Sequence, residues 1–344
     1  MRIIYGVAGE GMGHAIRSRT VIDYLSKKNE VLVACGGKAY PLLSRYFNTI
    51  ETDSFHIKFS NNRVKPISTF FCNVLKLPAI PAKSITLFKK LSSFNPDIVI
   101  NDFEPYTNYF AVLYKKPLIT INNQHIAIKT DIDNAGGFID RYISNCIIKI
   151  FSSFEDYSLI NTFFYPKIKK RYRENTFLFP PILREEILKV KRKKGKHILI
   201  YLSTKDDGFI NMLKKFKENF IIYGLNENKV QENVQMKKFN EKKFISDLAS
   251  AKAVICNGGF TTIGEALHLG KPILSIPIRN HYEQFLNGYY LKKLRYGEYA
   301  EKLNEKALNH FLENLKKYKK SLSKYKRENN KRLLKKLDEI MNKI

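Results

Sequence analysis

The chain of 344 residues has no tryptophan, only four cysteines, and thirty-two acidic side chains against sixty lysines and arginines, a formal charge of +28. Without indoles, any stacking on nucleobases falls to Tyr and Phe alone. Cys35, Cys72, Cys146 and Cys256 are dispersed and form no CxxC pair, so neither a zinc ribbon nor a disulfide scaffold is indicated. No apolar run reaches membrane-spanning length. Met1 leads straight into a strand-like segment, with no room for a charged region, an apolar run and a cleavage site. A cytosolic protein is expected, with membrane contact confined to its surface.

What is present is most informative between Val254 and Gly288, VICNGGFTTIGEALHLGKPILSIPIRNHYEQFLNG. It reads as a buried strand, a glycine turn, a helix with an early carboxylate, a second strand and a polar loop. Gly258 and Gly259 remove side chains where a phosphate would approach backbone N–H groups, and a helix beginning near Phe260 turns its positive end to the same anion, with Thr261 and Thr262 in its first turn. Glu265 is close enough to the helix start to reach a ribose hydroxyl. The loop after Ile276 offers Arg279, Asn280, His281, Glu283 and Gln284 to a sugar ring. A Gly-Gly turn alone is most often only a turn. The chain's opening repeats the layout, however, with a strand from Arg2 to Val7, the turn AGEGMG, a helix, and a strand from Val31 to Ala34. Two Rossmann-like α/β halves are predicted, one near each end of the chain.

Polar residues gather at the carboxyl ends of the predicted strands, where ligands of open α/β sheets bind. The strand Ile98–Ile100 ends in Asn101, Asp102 and Glu104, and the strand Pro117–Ile121 in Asn122, Asn123, Gln124 and His125. His14, in the first strand-to-helix turn, is a residue type that accepts a proton near neutrality. Gly11 and Gly13 let a substrate approach the backbone, and Asp102 is placed to orient His14 and stabilise its imidazolium, with Glu104 as the substitute. Arg17, Glu104, Asn123 and His125 are expected to bind an acceptor, and Arg17 also to meet a leaving diphosphate. Pro180-Pro181 marks the domain boundary, and a new buried strand begins at His197. Ser203 and Thr204, at its end, suit a diphosphate or a plain cap. The predicted domains are 1–180, 181–300 and a basic amphipathic helical tail, 301–344.

The charge is clustered. KVKRKKGK at Lys189–Lys196 and the tail from Lys316 to Lys343 would attract anionic surfaces, phospholipid or nucleic acid, and a solvated helix face is the plainer reading of the tail. The segment Ile67–Phe94 is apolar with a lysine fringe. Core packing explains it, and so would contact with a membrane-embedded acceptor.

The motifs GEGMGHAIRS, NDFEP, NNQH, CNGGFTTIGEAL and HYEQ together resemble the two-domain (GT-B) glycosyltransferases related to the peptidoglycan N-acetylglucosaminyl transferase and to the UDP-glucuronosyl and macrolide glycosyl transferases, closest to an archaeal and bacterial branch of mostly uncharacterised members. The resemblance implies two facing α/β domains, acceptor on the first and nucleotide sugar on the second, with a C-terminal helix returning to the first. It implies that Gly258, Gly259 and Thr261 lie at the diphosphate, Glu265 at the ribose, Glu283 and Gln284 at the donor sugar, and Phe239 and Phe244 beside the base. Two departures stand out. Asn257 occupies the place of a His in plant and animal relatives, and Glu283-Gln284 that of a Gln pair in the peptidoglycan enzyme.

The expected activity is transfer of a sugar from a nucleoside diphosphate, a UDP-sugar, to a hydroxyl of a glycan or lipid-linked acceptor, with no bound cofactor. No DxD motif is expected to present paired carboxylates for a metal, so metal-independent transfer by direct displacement, with inversion, is expected. Two alternatives stay open. GMGHAIRS also resembles the GHxxR loop of a UDP-releasing nucleotide-sugar hydrolase, and the +28 charge permits a DNA-directed sugar transferase or a nucleic-acid binder.

Overall fold

The computed structural model describes residues 1–53, 59–60, 63–64, 80–202 and 207–344. They divide into two compact units, Met1–Arg184 with Asn329–Ile344, and Glu185–Glu328. The second unit thus begins just past Pro180-Pro181. The tail expected from residue 301 is shared, its first part in the second unit and its last helix in the first.

In the first unit the strands are β1 Arg2–Val7, β2 Glu30–Cys35, β3 Thr49–Glu51, β4 Phe59–Ser60, β5 Arg63–Val64, β6 Ile98–Asp102, β7 Leu118–Asn122, β8 Tyr157–Asn161 and β9 Thr176–Phe179. The helices are α1 Met12–Leu25, α2 Tyr40–Leu43, α3 Ile80–Ser93, α4 Pro105–Leu113, α5 Ile126–Lys129 and α6 Phe138–Phe151. Seven strands form one parallel sheet in the order β3-β2-β1-β6-β7-β8-β9, with β4 and β5 a separate antiparallel pair. The central strands are apolar on both faces because helices cover both. Leu87 and Leu91 of α3 and Phe110 of α4 pack on one face; α1 and α2 pack on the other. The order reverses between β1 and β6, opening a crevice at their carboxyl ends. Of the apolar segment 67–94, residues 67–79 lie outside the described residues, and its remainder is the core-facing α3.

The second unit carries β10 His197–Tyr201, β11 Asn219–Tyr223, β12 Lys229–Gln231, β13 Val234–Met236, β14 Ala253–Cys256, β15 Ile273–Ser275 and β16 Gly297–Tyr299. Its helices are α7 Glu185–Lys189, α8 Asp207–Lys214, α9 Glu241–Ser250, α10 Phe260–His268, α11 Tyr282–Lys293, α12 Glu305–Glu313 and α13 Leu315–Leu322. The sheet order is β12-β13-β11-β10-β14-β15-β16, parallel apart from the β12 edge. Here the switch point lies between β10 and β14. Leu308, Phe311, Leu315 and Tyr318 bring α12 and α13 into this unit's core.

The last helix, α14 Lys331–Met341, belongs to the first unit. Leu333, Leu337, Ile340 and Met341 fall on one stripe of it and are buried beside α1. Each such burial stabilises by about 1.5–3 kcal/mol. Its start is pinned to the chain before the boundary, since the Asn330 amide donates to the Leu183 carbonyl at 2.7 Å and accepts from the Leu183 N–H at 3.0 Å.

Candidate functional site

At the switch point of the first sheet, α1 begins at Gly11, whose φ of 81° is natural only to glycine and whose missing side chain leaves open space. His14, Arg17 and Ser18 follow at i, i+3 and i+4, so one face of α1 carries all three toward the end of β6. That end is Asp102, fully buried. His14 Nδ1 lies 2.9 Å from Asp102 Oδ1, Arg17 reaches both carboxylate oxygens at 2.6 and 2.8 Å, and the Ser18 hydroxyl donates to Oδ2 at 2.9 Å.

Burial alone would raise the Asp102 carboxyl, but the charges of Arg17 and His14 and their hydrogen bonds outweigh it and hold the group well below its ordinary value. Nδ1 also lies 2.8 Å from Arg17 Nη2, but that nitrogen donates to Asp102 Oδ1 at 2.6 Å; since the carboxylate can only accept, the tautomer that turns the Nδ1 proton to Asp102 leaves the lone pair on Nε2. The Gln124 amide nitrogen, 3.4 Å from Nε2, is oriented to donate to that lone pair. Phe103, at φ 62°, stacks its ring on the imidazole with centroids 6.3 Å apart. Gln124 was placed at a strand exit from sequence but given no role, and Ser18 and Phe103 were not singled out. For Ser18 the signal was available in its helical spacing from His14.

Four residues expected at an acceptor are interior. Arg17 is spent on Asp102 and, through Nη1, on Asn123 Oδ1 at 2.8 Å, so the two form a buried support. His125 is fully buried, its Nε2 donating to the Ser152 carbonyl at 3.0 Å and its Nδ1 accepting from Ser158 at 2.9 Å. Burial pushes it down to about 4, so it is neutral at physiological pH. Glu104 caps α4, accepting from the Thr107 N–H at 2.7 Å and hydroxyl at 2.8 Å; with Pro105 in the first turn, Glu-Pro-x-Thr was a legible helix start. Gly11 remains at the open turn, and Gly13 is the second residue of α1.

Burial pushes the Glu104 carboxyl up to about 7, against the hydrogen bonds from Thr107. A raised carboxyl stabilises the fold while protonated, so this contribution is complete below about pH 4.5 and disappears as pH rises through 7. Glu104→Gln should therefore gain on the wild type between these limits, by on the order of 3 kcal/mol above pH 8. Denaturant titrations at pH 4 and pH 8 measure the gap; equal gaps at both would refute it.

In the second unit β14 runs into Asn257, Gly258 and Gly259, and α10 starts with no side chain capping it. A Cβ on Gly259 would meet nothing within 4 Å, so the helix start borders open space, where its N–H groups suit an anion. Gly258, at φ 83°, has its carbonyl held by the Asn287 amide at 3.0 Å. A Cβ there would stand 2.8 Å from the Gln284 carbonyl and from Ser275 Oγ. Gly258→Ala is expected to cost about 1–3 kcal/mol in thermal or denaturant unfolding, whereas Gly259→Ala, lacking that clash, should cost less.

Thr261 and Thr262 are half-buried in the first turn of α10, and Glu265 is buried in the second. Glu283 opens α11, and Gln284 Oε1 accepts from the Ile278 N–H at 2.9 Å, fixing the loop before it. Of the two aromatics expected beside a base, Phe239 is exposed, whereas Phe244 is buried against Tyr201 and Tyr223. Ser203 and Thr204 lie outside the described residues. Contrary to the expectation that no DxD motif is present, the chain has one such spacing, Asp131-Ile132-Asp133, which follows α5 in the first unit, with the Asp131 N–H bonded to the Lys167 carbonyl.

The sequence profile of "Glycosyl transferase family 1" matches residues 1–316. The chain belongs to this family. It is similar to an uncharacterised glycosyltransferase of Methanosarcina mazei, 27% identical over 340 residues that cover 87% of this chain and 86% of that one. A second, from Methanosarcina acetivorans, is 26% identical over 327 residues, covering 86% and 85%. Among solved structures the calicheamicin glycosyltransferase CalG4 superposes with a TM-score of 0.71 at 12% identity, over 100% of this chain and 99% of that one. Arabidopsis thaliana UGT89C1, complexed with UDP-L-rhamnose, gives 0.63 at 15% over 94% and 92%. At such identity the structures establish the fold, the two Rossmann-like units of GT-B enzymes. The family and its relatives make the chain a glycosyltransferase.

Proposed function

We propose that this glycosyltransferase takes its sugar from a nucleoside diphosphate, a UDP-sugar, and delivers it to a hydroxyl of a glycan or lipid-linked glycan by direct, inverting displacement that needs no metal ion. His14 Nε2 removes the acceptor hydroxyl proton as that oxygen bonds to the anomeric carbon. The bond from that carbon to the diphosphate breaks, and its electron pair leaves on the diphosphate oxygen. The imidazolium formed is stabilised by Asp102, which Arg17 and the Ser18 hydroxyl keep ionised against the effect of burial. The departing charge is met by N–H groups from Gly258 to Thr262 and the positive end of α10. Glu265 serves the ribose, and Glu283 and Gln284 the sugar.

The observation that carries this reading is the 2.9 Å His14–Asp102 pair, which leaves Nε2 as a base beside the open turn at Gly11. The donor half is supported by the uncapped start of α10 and the space at Gly259. Isothermal titration of UDP-sugars, other nucleotide sugars and free nucleotides, in the presence of EDTA, tests it. UDP-sugars should bind in the micromolar to millimolar range, and Glu265→Gln should weaken them. Binding that appears only on adding a divalent cation would remove the metal-independent part, and no nucleotide binding at all would remove the donor assignment.

A further inference from the structure

Helix α6 is amphipathic with its apolar side turned outward. Of its fourteen residues only Ile148 is buried, while Phe138, Ile139 and Tyr142 are 82%, 70% and 62% exposed and Ile147 and Ile150 are also exposed. At 100° per residue these five side chains, with Ile143 and Cys146, share one half of the helix surface, where Lys149 is the single charge. The surface continues beyond the helix. The Tyr109 hydroxyl of α4 donates to the Ile150 carbonyl at 2.7 Å, so the exposed Val112 and Leu113 of α4 lie on the neighbouring helix, and Val112 shares a groove with the exposed Phe154. Single exposed apolar side chains are ordinary; a continuous helix face of them marks a surface that is covered in use.

The border identifies the cover. Lys115 and Lys116 line the groove with Val112 and Phe154, but Asp156, Glu174 and the C-terminal Ile344 line it too and balance them, so the net cationic border lies elsewhere. On the other side the segment 167–173 is tied to α5 by the Lys169 N–H to the Lys129 carbonyl at 3.0 Å. The Lys169 ammonium is held below its ordinary value, first by partial burial and then by the neighbouring charges of Arg171, Arg141 and Lys149, which outweigh the opposing carboxylate of Asp131. The same segment borders an open groove of about 930 Å³, where Lys167, Arg173, Arg332, Lys335 and Lys336 face one carboxylate, Glu339. Cations on this scale repel a second copy of a chain that carries +28. Nucleic acid would satisfy the cations and leave the isoleucines with nothing to pack against. A bilayer with anionic headgroups satisfies both, because apolar side chains enter the interface while lysines and arginines remain among the phosphates.

We propose that the outward face of α6, with the adjoining end of α4, docks on an anionic lipid bilayer, with the basic segment 167–173 and its groove meeting the headgroups. The groove draws on Arg332, Lys335 and Lys336 of the basic tail, whereas the α6 face belongs to a part of the chain for which the sequence suggested no membrane contact. It does not depend on the transfer chemistry, since vesicle binding is read without any substrate.

The absence of tryptophan supplies a clean test. Tyr142→Trp places the only indole of the chain on the docking face, and Val230→Trp, at an exposed position of the second unit, is the control. With vesicles of phosphatidylcholine and phosphatidylglycerol, emission from the first should shift to the blue and be quenched by brominated acyl chains, and emission from the control should not. Phe138→Ser with Ile139→Ser should lower vesicle partitioning at least tenfold without lowering Tm, because both side chains are already in water. Lys149→Glu with Arg171→Glu should weaken binding at low salt. Three results would overturn the proposal: an indole unchanged by vesicles, partitioning indifferent to the serine pair, or self-association or DNA binding that the serine pair abolishes. A chain that transferred no sugar would leave all these readings as they are, so the two proposals fail separately.

Discussion

Replacing His14 with alanine is expected to lower kcat for sugar transfer by about 10²–10⁴-fold, the range of a lost general base, with little change in donor KM. The split follows from the geometry. His14 stands at the start of α1 against Asp102, while the features suited to a nucleotide sugar belong to the second unit. The substitution should also spare the fold, since His14 is partly exposed and Asp102 keeps three donated hydrogen bonds from Arg17 and Ser18. Steady-state kinetics with a melting curve on the same sample measure both parts. A variant of native stability and undiminished kcat would remove the base, whatever the donor proves to be.

Arg17→Met should act on both stability and rate. Arg17 and Asp102 are both buried, so removing the guanidinium strands a carboxylate in the interior and takes a donor from Asn123, a change that costs about 3–5 kcal/mol. The pH dependence has a definite sign. A carboxylate held below its ordinary value contributes stability above its unfolded pKa, about 3.9, and loses it only as pH falls through the lower folded value. With the guanidinium gone burial raises Asp102 in the variant, so the wild type should lead by its full margin above that raised value, and the margin should shrink as pH falls through it toward the wild type's lower value. The acid limb of kcat/KM should move to higher pH, because burial now raises Asp102 unopposed by the guanidinium and a protonated partner no longer stabilises the imidazolium. Arg17→Lys keeps the charge but cannot bridge Asp102 and Asn123 together, so it should restore part of the stability. Denaturant titrations across pH measure the margin, and a margin constant from pH 3 to pH 7 would mean that the pair does not stabilise through its charge.

The strand-turn-helix units at each end of the chain were legible because glycine turns and uninterrupted apolar strands are local signals. β1, β6, β10 and β14, which flank the two switch points, all lie within a residue or two of their expected bounds. The pairing of His14 with Asp102 was also legible, since both stand at carboxyl ends of strands that the parallel order makes neighbours. The direction in which a polar side chain points was not. Arg17, Asn123, Glu104 and His125 have the chemistry of ligand-binding residues, and sequence does not say whether a strand end turns them to solvent or inward. For Arg17 the answer lay in tertiary structure, a buried carboxylate eighty-five positions away. The same limit hid α6, because FIDRYISNCIIKIF has the periodicity of an ordinary core-facing helix, and periodicity does not reveal which face meets the protein. The last helix was foreseen through family resemblance; its pattern alone predicted an apolar stripe with no address.

The central claim is that sugar moves from a nucleoside diphosphate to a hydroxyl with His14 Nε2 taking the proton. The most direct measurement is diphosphate release from a panel of nucleotide sugars in EDTA, with and without a cytosolic-membrane lipid extract as acceptor source, for the wild type and His14→Ala. The account predicts release by the wild type that requires the extract and falls at least a hundredfold in the variant. Release at the same rate without any acceptor would make the protein a nucleotide-sugar hydrolase, and acceptor-dependent release that survives loss of His14 would contradict the mechanism.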